Sequence, residues 1–383
     1  MKIHELEQEA LSYLDMLRGH RRALHRIPEV GEQEYKTQAY ILEALKRLKT
    51  DEVRVFAGTG VRAVFRGNGK GRVLAFRADI DALPVREENV CDYVSQHEGC
   101  MHACGHDGHM ANLLTFAAWL SAHKEELIDD VVLLFQPAEE TVGGAKRMID
   151  EGALENPHVD VIYGMHMMPD IPKGKIAACA GPIMAQTCEM DFVIHGKSAH
   201  GATPHLGCDA ITAMGHLITL LQTTVARCVD PCQQALITIG KVRAGEQRNI
   251  LAAQAQMEGI VRTFSNQVYE ALEMRIRDDL KGIEAAFGTK VDFIKRVYYP
   301  CVENDAVEFE RVRDVLGDRF MPAKPRMTAE DFSYYQLSVP GVFVFCGCMD
   351  ESHQAPLHAS AFDFDEEALV PGLAFFASLV AMK

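Results

Sequence analysis

Val131-Val132-Leu133-Leu134-Phe135-Gln136-Pro137-Ala138-Glu139-Glu140 sets five apolar residues in a row before a proline and two acids. An apolar run without alternation reads as a strand covered on both faces, as in the middle of an α/β sheet. Sites in such sheets lie past the carboxyl ends of the strands, which is where Glu139 and Glu140 fall. Two neighbouring segments repeat the plan. Residues 73–77 read as a strand delivering Asp79, Asp81 and Pro84, and residues 159–164 as one ending in Met165 and His166. Helices are expected over 107–123 and 144–151, which gives the strand–helix–strand order of an α/β domain.

Outward from this core, residues 6–25 read as an opening helix stopped at Ile27-Pro28, because proline disfavours helix at the residue before it. A second helix is expected over 34–49, then short strands over 53–56 and 61–65. The middle of the chain differs. Residues 188–196 alternate, 209–226 are helical, 235–242 and 251–263 read as strands, 266–286 as helix and 290–298 as strand. That order, β-α-β-β-α-β, is ferredoxin-like. Helices over 306–320 and 329–336, a strand over 342–347 and a final helix over 365–382 then return to the first domain. The expected division is 1–184, an insertion at 185–296, and 297–383; such insertions are tolerated because domain termini lie close together.

The chain has 383 residues, 54 acidic and 39 basic, for a net charge of −15 with histidine neutral. That balance weighs against nucleic acid as a partner. The longest apolar stretches, 131–135 and 370–382, fall short of the roughly 20 residues of a spanning helix. The first residues are amphipathic and acidic, without a signal-peptide core. An odd count of cysteines, 11, fits a reducing compartment. A cytoplasmic protein is expected, with no membrane partner and most thiols serving as apolar filler.

Four clusters carry metal-competent side chains: Met101-His102-Ala103-Cys104-Gly105-His106-Asp107-Gly108-His109, Glu139-Glu140, Met165-His166 and Leu357-His358. Cys104 and His106 flank a glycine, so a tight turn can bring thiolate and imidazole to one ion. The spacing matches no structural zinc finger, which points to a catalytic site. Adjacent Glu139 and Glu140 cannot point the same way, so two roles fit: one carboxylate binds metal while its neighbour takes a proton from the water a metal acidifies. A nucleophilic Cys104, as in an acyltransferase, is the rival use of the thiolate.

The chain resembles the M20 metallopeptidase family, in its aminoacylase-like amidohydrolase branch. The resemblance rests on His25-Arg26-Ile27-Pro28-Glu29 with Gly31 and Glu34, Arg77-Ala78-Asp79-Ile80-Asp81-Ala82-Leu83-Pro84, the 101–109 run and Phe135 to Glu140. It continues through Gly164-Met165-His166, Gly259 to Phe264, Thr328 to Ser333, and Leu357-His358. It implies a zinc-peptidase-like α/β catalytic domain with an inserted ferredoxin-like α+β lid. It implies two divalent ions per subunit, manganese or zinc first, with cobalt or nickel allowed, held by Cys104, His106, Glu140, His166 and His358. Glu139 would be the general base. Asp79 would orient a histidine ligand or the metal pair, and His200, in Gly196-Lys197-Ser198-Ala199-His200, would stabilise the oxyanion. Asn249 and Arg262 would bind the polar end of the substrate. The implied activity is hydrolysis of N-acyl amino acids to a carboxylate and a free amino acid, in a homodimer joined through the lid; a dipeptidase or an N-acetyldiaminopimelate deacetylase is the alternative. Departures from the family pattern, such as Gly201-Ala202-Thr203-Pro204 after His200, lie in the lid and bear on substrate preference.

Overall fold

The computed structural model describes residues 3–383. The chain opens with α1 (Ile3–Ser12), α2 (Leu14–His25) and α3 (Tyr35–Leu45). The single opening helix expected over 6–25 is thus two. Tyr13 sits in a turn between them, its N–H bonded to Ala10 O and its carbonyl to Met16 and Leu17. No proline or glycine marks that break; each half simply buries its own apolar face, Leu6 and Ala10 in the first, Leu17 and Leu24 in the second.

Next come β1 (Glu52–Phe56), β2 (Gly60–Phe65), β3 (Val73–Asp79), α4 (His106–Ala122), β4 (Asp130–Gln136), α5 (Gly144–Asp150), β5 (Val161–Pro172) and β6 (Ile176–Ala178). After β7 (Gly181–Met184) the chain builds β8 (Gln186–His195), α6 (Ala210–Cys228), β9 (Ala235–Ala244), β10 (Gln254–Thr263), α7 (Asn266–Phe287) and β11 (Lys290–Tyr299). It closes with β12 (Val302–Asn304), α8 (Ala306–Leu316), β13 (Phe320–Pro322), α9 (Ser333–Gln336), β14 (Gly341–Met349) and α10 (Val370–Leu379).

Two compact units result. One comprises the chain up to Ile183 with Glu303–Lys324 and Asp331–Lys383; the other comprises Met184–Val302 with Pro325–Glu330. The second unit therefore includes a return segment that lies outside 185–296. It is recruited by main-chain bonds from Ala185 N–H to the carbonyls of Arg326 and Thr328, a tertiary pairing that no local pattern announces.

The first unit is built on an eight-stranded sheet in the order β1-β2-β4-β3-β5-β14-β6-β13, with β4, β3, β5 and β14 parallel neighbours. Every residue of β4 from Val131 to Gln136 is buried, as a two-side-covered strand requires. α4 is buried on nearly all sides from His106 to Leu120, so its sequence carries no polar face. Phe116 of α4 stacks edge-on against Phe76 of β3 with centroids 4.8 Å apart, and Phe376 of α10 lies 4.9 Å from Phe76. Such ring pairs contribute about 1 kcal/mol each beyond area burial. This packing fixes the helix end that carries His106.

Several expected elements change length: α3 ends at Leu45 and α8 at Leu316, short of 49 and 320, and three others change as follows. β5 continues through His166 to Pro172, and His166 pairs in register with Phe345 of β14, so this histidine sits within a strand rather than past its end. The helix expected over 329–336 shrinks to α9, because the Asp331 carboxylate turns inward to Arg77, Gln136 and Ala145 N–H. The last helix begins at Val370 after a 3₁₀ turn, Glu366–Leu369. Pro371 falls in its first turn, where the missing N–H has no helical partner to lose.

The second unit is a four-stranded antiparallel sheet ordered β11-β8-β10-β9, the ferredoxin-like arrangement. Leu217 and Leu221 of α6 and Leu272 and Ile276 of α7 join Met190, Phe192 and Ile194 of β8 in one core. Asp209 caps α6 by accepting from Ile211 and Thr212 N–H, and Ser265 caps α7 through Val268 N–H. Each cap stabilises its helix by about 1 kcal/mol.

Candidate metal centre

The site gathers at the carboxyl ends of β3 and β4, along β5, and at the first turn of α4. Gly105 precedes α4 with φ +84°, a left-handed conformation that glycine adopts without penalty. It turns the chain so that Cys104 and His106 face one region. His106 Nδ1 donates to the main-chain carbonyl of Asp81 at 2.9 Å, which leaves Nε2 to point into the site. His166 Nδ1 donates to Met167 O at 2.8 Å, and its Nε2 lies 3.4 Å from Cys104 Sγ.

The Gln136–Glu140 turn is anchored from below. Ala138 has φ +57°, and its N–H donates to the buried Glu34 carboxylate at 2.9 Å. Gly144 passes so close that a Cβ there would meet Pro137 O at 1.9 Å, so no larger residue fits. Glu139 is buried, and Glu140 N–H donates to Asp81 Oδ2 at 2.9 Å. His358, at φ +66°, is held by its own N–H to Ala103 O, and its Nε2 lies 3.3 Å from Glu140 Oε1.

Ligand-capable atoms therefore converge. Those of Cys104, His106 and His166 lie within 4.8 Å of one another, as do those of Cys104, Glu140 and His358, and those of His106, Glu139 and Glu140. Cys104 stands in the first two groups, and Glu140 links the last two. His106 Nε2 and Glu140 Oε1 are buried without a hydrogen-bond partner. Buried polar atoms are almost always paired, so two orphans aimed at one space call for a cation.

The electrostatics show which protons a cation would displace. Burial pushes the Cys104 thiol well above its ordinary value, and Glu140 and Glu139 push it further; a bound cation would draw that proton off. Burial opposes a charge on His106, but Asp79 and Asp81 outweigh it and hold its pKa up to about 10, so Nε2 also gives up a proton on binding metal. Burial lowers His166 to about 3, so it presents a neutral imidazole. The residues suit divalent ions of the zinc or manganese type, with thiolate and imidazole favouring zinc.

Asp79 lies behind the cluster, buried among three side chains. Its Oδ1 lies 2.6 Å from His109 Nδ1 and its Oδ2 accepts from Arg77 Nη1 at 2.7 Å, while His106 Nε2 is 3.7 Å away. Its hydrogen-bonded histidine lies outside the expected five ligands. The residue that positions those ligands is Asp81, through both its carbonyl and its carboxylate. Sequence reasoning placed Asp81 at the strand end but gave it no role; Glu34 and Asp331 stand in quoted motifs, yet nothing local shows that they reach Ala138 and Arg77.

The remaining expected residues belong to the second unit. His200 is exposed, and its Nδ1 accepts from Ala202 N–H at 3.1 Å. Asn249 is exposed, and its carbonyl accepts from Gly201 N–H at 2.7 Å. Arg262, half-buried on β10, has a buried Nη1 without a hydrogen-bond partner.

Residues 75–382 match the family described as peptidase family M20/M25/M40. The chain belongs to that family. It is 38% identical to an N-acetyldiaminopimelate deacetylase of Lacticaseibacillus casei (strain BL23), over 92% of this chain and 94% of the relative. It is 37% identical to an N-acetylcysteine deacetylase of Bacillus subtilis (strain 168), over 94% and 95%. Among solved structures, a dinuclear metal-binding M20 peptidase of Bacillus subtilis superposes with a TM-score of 0.83 at 35% identity, covering 96% of this chain and 97% of that one. This M20 protein is a metal-dependent hydrolase, with side-chain clusters suited to a dinuclear centre. Among the described residues no helix is long and apolar enough to cross a membrane.

Proposed function

We propose that this M20 hydrolase removes the acetyl group from an N-acetylated amino acid, with N-acetyldiaminopimelate as the first candidate substrate. The observation that carries the reading is the pair of ligand groups sharing Cys104, with Glu139 beside them. The choice of substrate leans on the similar proteins, whose names favour deacetylation of diaminopimelate over a general action on N-acyl amino acids. A second reading, N-acetylcysteine, is favoured by two relatives of that name.

In this reading Cys104, His106, Glu140, His166 and His358 hold two divalent ions. When bound, the ions supply Lewis-acid polarisation of the amide carbonyl and acidify water. Glu139, on a loop fixed by Glu34 and Gly144, accepts the proton of the attacking water and passes it to the leaving nitrogen. His200, with Nδ1 engaged by Ala202 N–H, carries its proton on Nε2 when neutral and donates it to the developing oxyanion. Arg262 offers an unpaired N–H to a substrate carboxylate, and Asn249 adds a polar contact. The subunits pair through the inserted unit.

The test is metal content together with product release. Protein purified without chelator is assayed for metal and for acetate release from N-acetyldiaminopimelate, N-acetylcysteine and a panel of longer N-acyl amino acids. Near two ions per chain and fastest release from an acetylated member support the reading. Metal with turnover only of long-chain substrates overturns the acetyl assignment.

A further inference from the structure

His109, the third histidine of the cluster, is fully buried and has both ring nitrogens committed. Nε2 lies 2.9 Å from the main-chain nitrogen of Met167. That N–H can only donate, so Nε2 accepts and the ring proton sits on Nδ1. Nδ1 in turn donates to Asp79 Oδ1 at 2.6 Å. Neither nitrogen has a lone pair left for a cation, although His109, Asp79 and His106 offer three atoms within 4.8 Å and its ring centroid is 4.7 Å from that of His166.

Met167 passes the constraint on. Its N–H is held by His109 and its carbonyl accepts from His166 Nδ1. Fixing the main chain on both sides of the Met167 α-carbon fixes the His166 ring, with Nδ1 protonated and Nε2 turned toward Cys104. The other end of the chain is equally rigid. Arg77 donates to Asp79, to Gln136 Oε1 at 2.8 Å and to Asp331 at 2.9 Å, all of them buried. Partners that hold a ligand's second nitrogen set its tautomer and orientation; here the hold is exerted at one remove, through a peptide.

We propose that His109 is a positioning residue and not a ligand: held by Asp79 with its proton on Nδ1, it accepts the Met167 N–H and thereby aims His166 Nε2 at the metal position beside Cys104. This rests on the reading of His166 as a ligand.

The experiment compares full-length wild type, His109→Gln and His109→Asn by equilibrium dialysis against Zn²⁺, with the Co²⁺ absorption spectrum as a second readout. Glutamine places a carbonyl oxygen near the position of Nε2 and can accept the Met167 N–H. Asparagine keeps the donor to Asp79 but cannot reach Met167. The expected result is two ions in all three proteins at saturation, near wild-type affinity for glutamine, and about 10–100-fold weaker binding of one ion for asparagine. Equal affinities in all three, or loss of one ion from both variants, overturn the proposal; the latter makes His109 a ligand. If a variant does not fold, ¹⁵N-histidine NMR of wild type decides. His109 should keep the Nδ1–H pattern with and without Zn²⁺, and a metal-induced change of its nitrogens refutes the assignment. Absence of metal from the wild type itself counts against the dinuclear reading, while the metal-free NMR pattern still tests the tautomer.

Discussion

Asp81 holds two candidate ligands at once: its carbonyl accepts from His106 Nδ1 at 2.9 Å and its carboxylate from Glu140 N–H at 2.9 Å. A single residue, two positions past the end of β3, thus sets the imidazole tautomer and the position of the neighbouring acid. Asp81→Ala keeps the carbonyl and removes only the carboxylate. It leaves Glu140 N–H buried without its acceptor, a loss of about 1–3 kcal/mol. Metal affinity should fall about 10–100-fold, as for other residues behind a metal site. Dialysis against Zn²⁺ alongside a thermal melt checks this; a lowered Tm with unchanged affinity would make Asp81 purely structural.

Glu139 and Glu140 are adjacent, yet their substitutions should part company. Glu139→Gln should retain both ions and lose about 10²–10⁴ in kcat, the usual share of a general base. Glu140→Gln should lose metal first. The two variants assayed for metal content and for kcat at saturating Zn²⁺ show the split, and near-wild-type turnover in Glu139→Gln removes that residue from the mechanism.

The parallel core, the ferredoxin-like insertion and the clusters of donors are legible in the sequence because each rests on a local pattern: an apolar run, an alternation, a histidine spacing. The rest is not, because it depends on where buried polar groups find partners. Asp79 reads as a ligand's orienter at a strand end, but its bonds to Arg77 and His109 cannot be read from the strand pattern. Asp331 shortens a helix by turning inward to a guanidinium 254 positions away. Glu34 supports a left-handed Ala138 across 104 positions. Satisfaction of buried donors and acceptors is a three-dimensional condition, and periodicity carries no record of it.

His25 makes the fold pH-sensitive on the alkaline side. Burial disfavours its charge, but Asp107, 2.8 Å from Nδ1, and Glu87, 3.1 Å from Nε2, raise its pKa to about 9. A histidine whose folded pKa is raised adds stability that is complete below its unfolded value, near 6.5, and lost as pH rises through about 9. The amount is on the order of 3 kcal/mol. Chemical denaturation from pH 6 to 10 should show stability declining over that window, and His25→Gln should flatten the decline. Parallel curves for the two proteins would place the alkaline loss elsewhere.

His200 provides a test that separates its chemistry from its place in the fold. Its ring is exposed and its Nδ1 is occupied by Ala202 N–H, so removing the ring exposes no core and should leave Tm and metal content unchanged. If Nε2–H donates to the oxyanion, His200→Ala should lower kcat by about 10²–10³ with KM little changed, since a donor that acts on developing charge binds the ground state weakly. His200→Gln can place an amide N–H near the same point and should recover part of the loss. Mixing His200→Ala with Glu139→Gln protein adds the subunit question. Both parents are slow, but in the proposed homodimer a mixed pair sets one intact Glu139 against the other chain's intact His200. Activity that appears on mixing means His200 serves the partner's site. A slow His200→Ala that gains nothing on mixing means it serves its own.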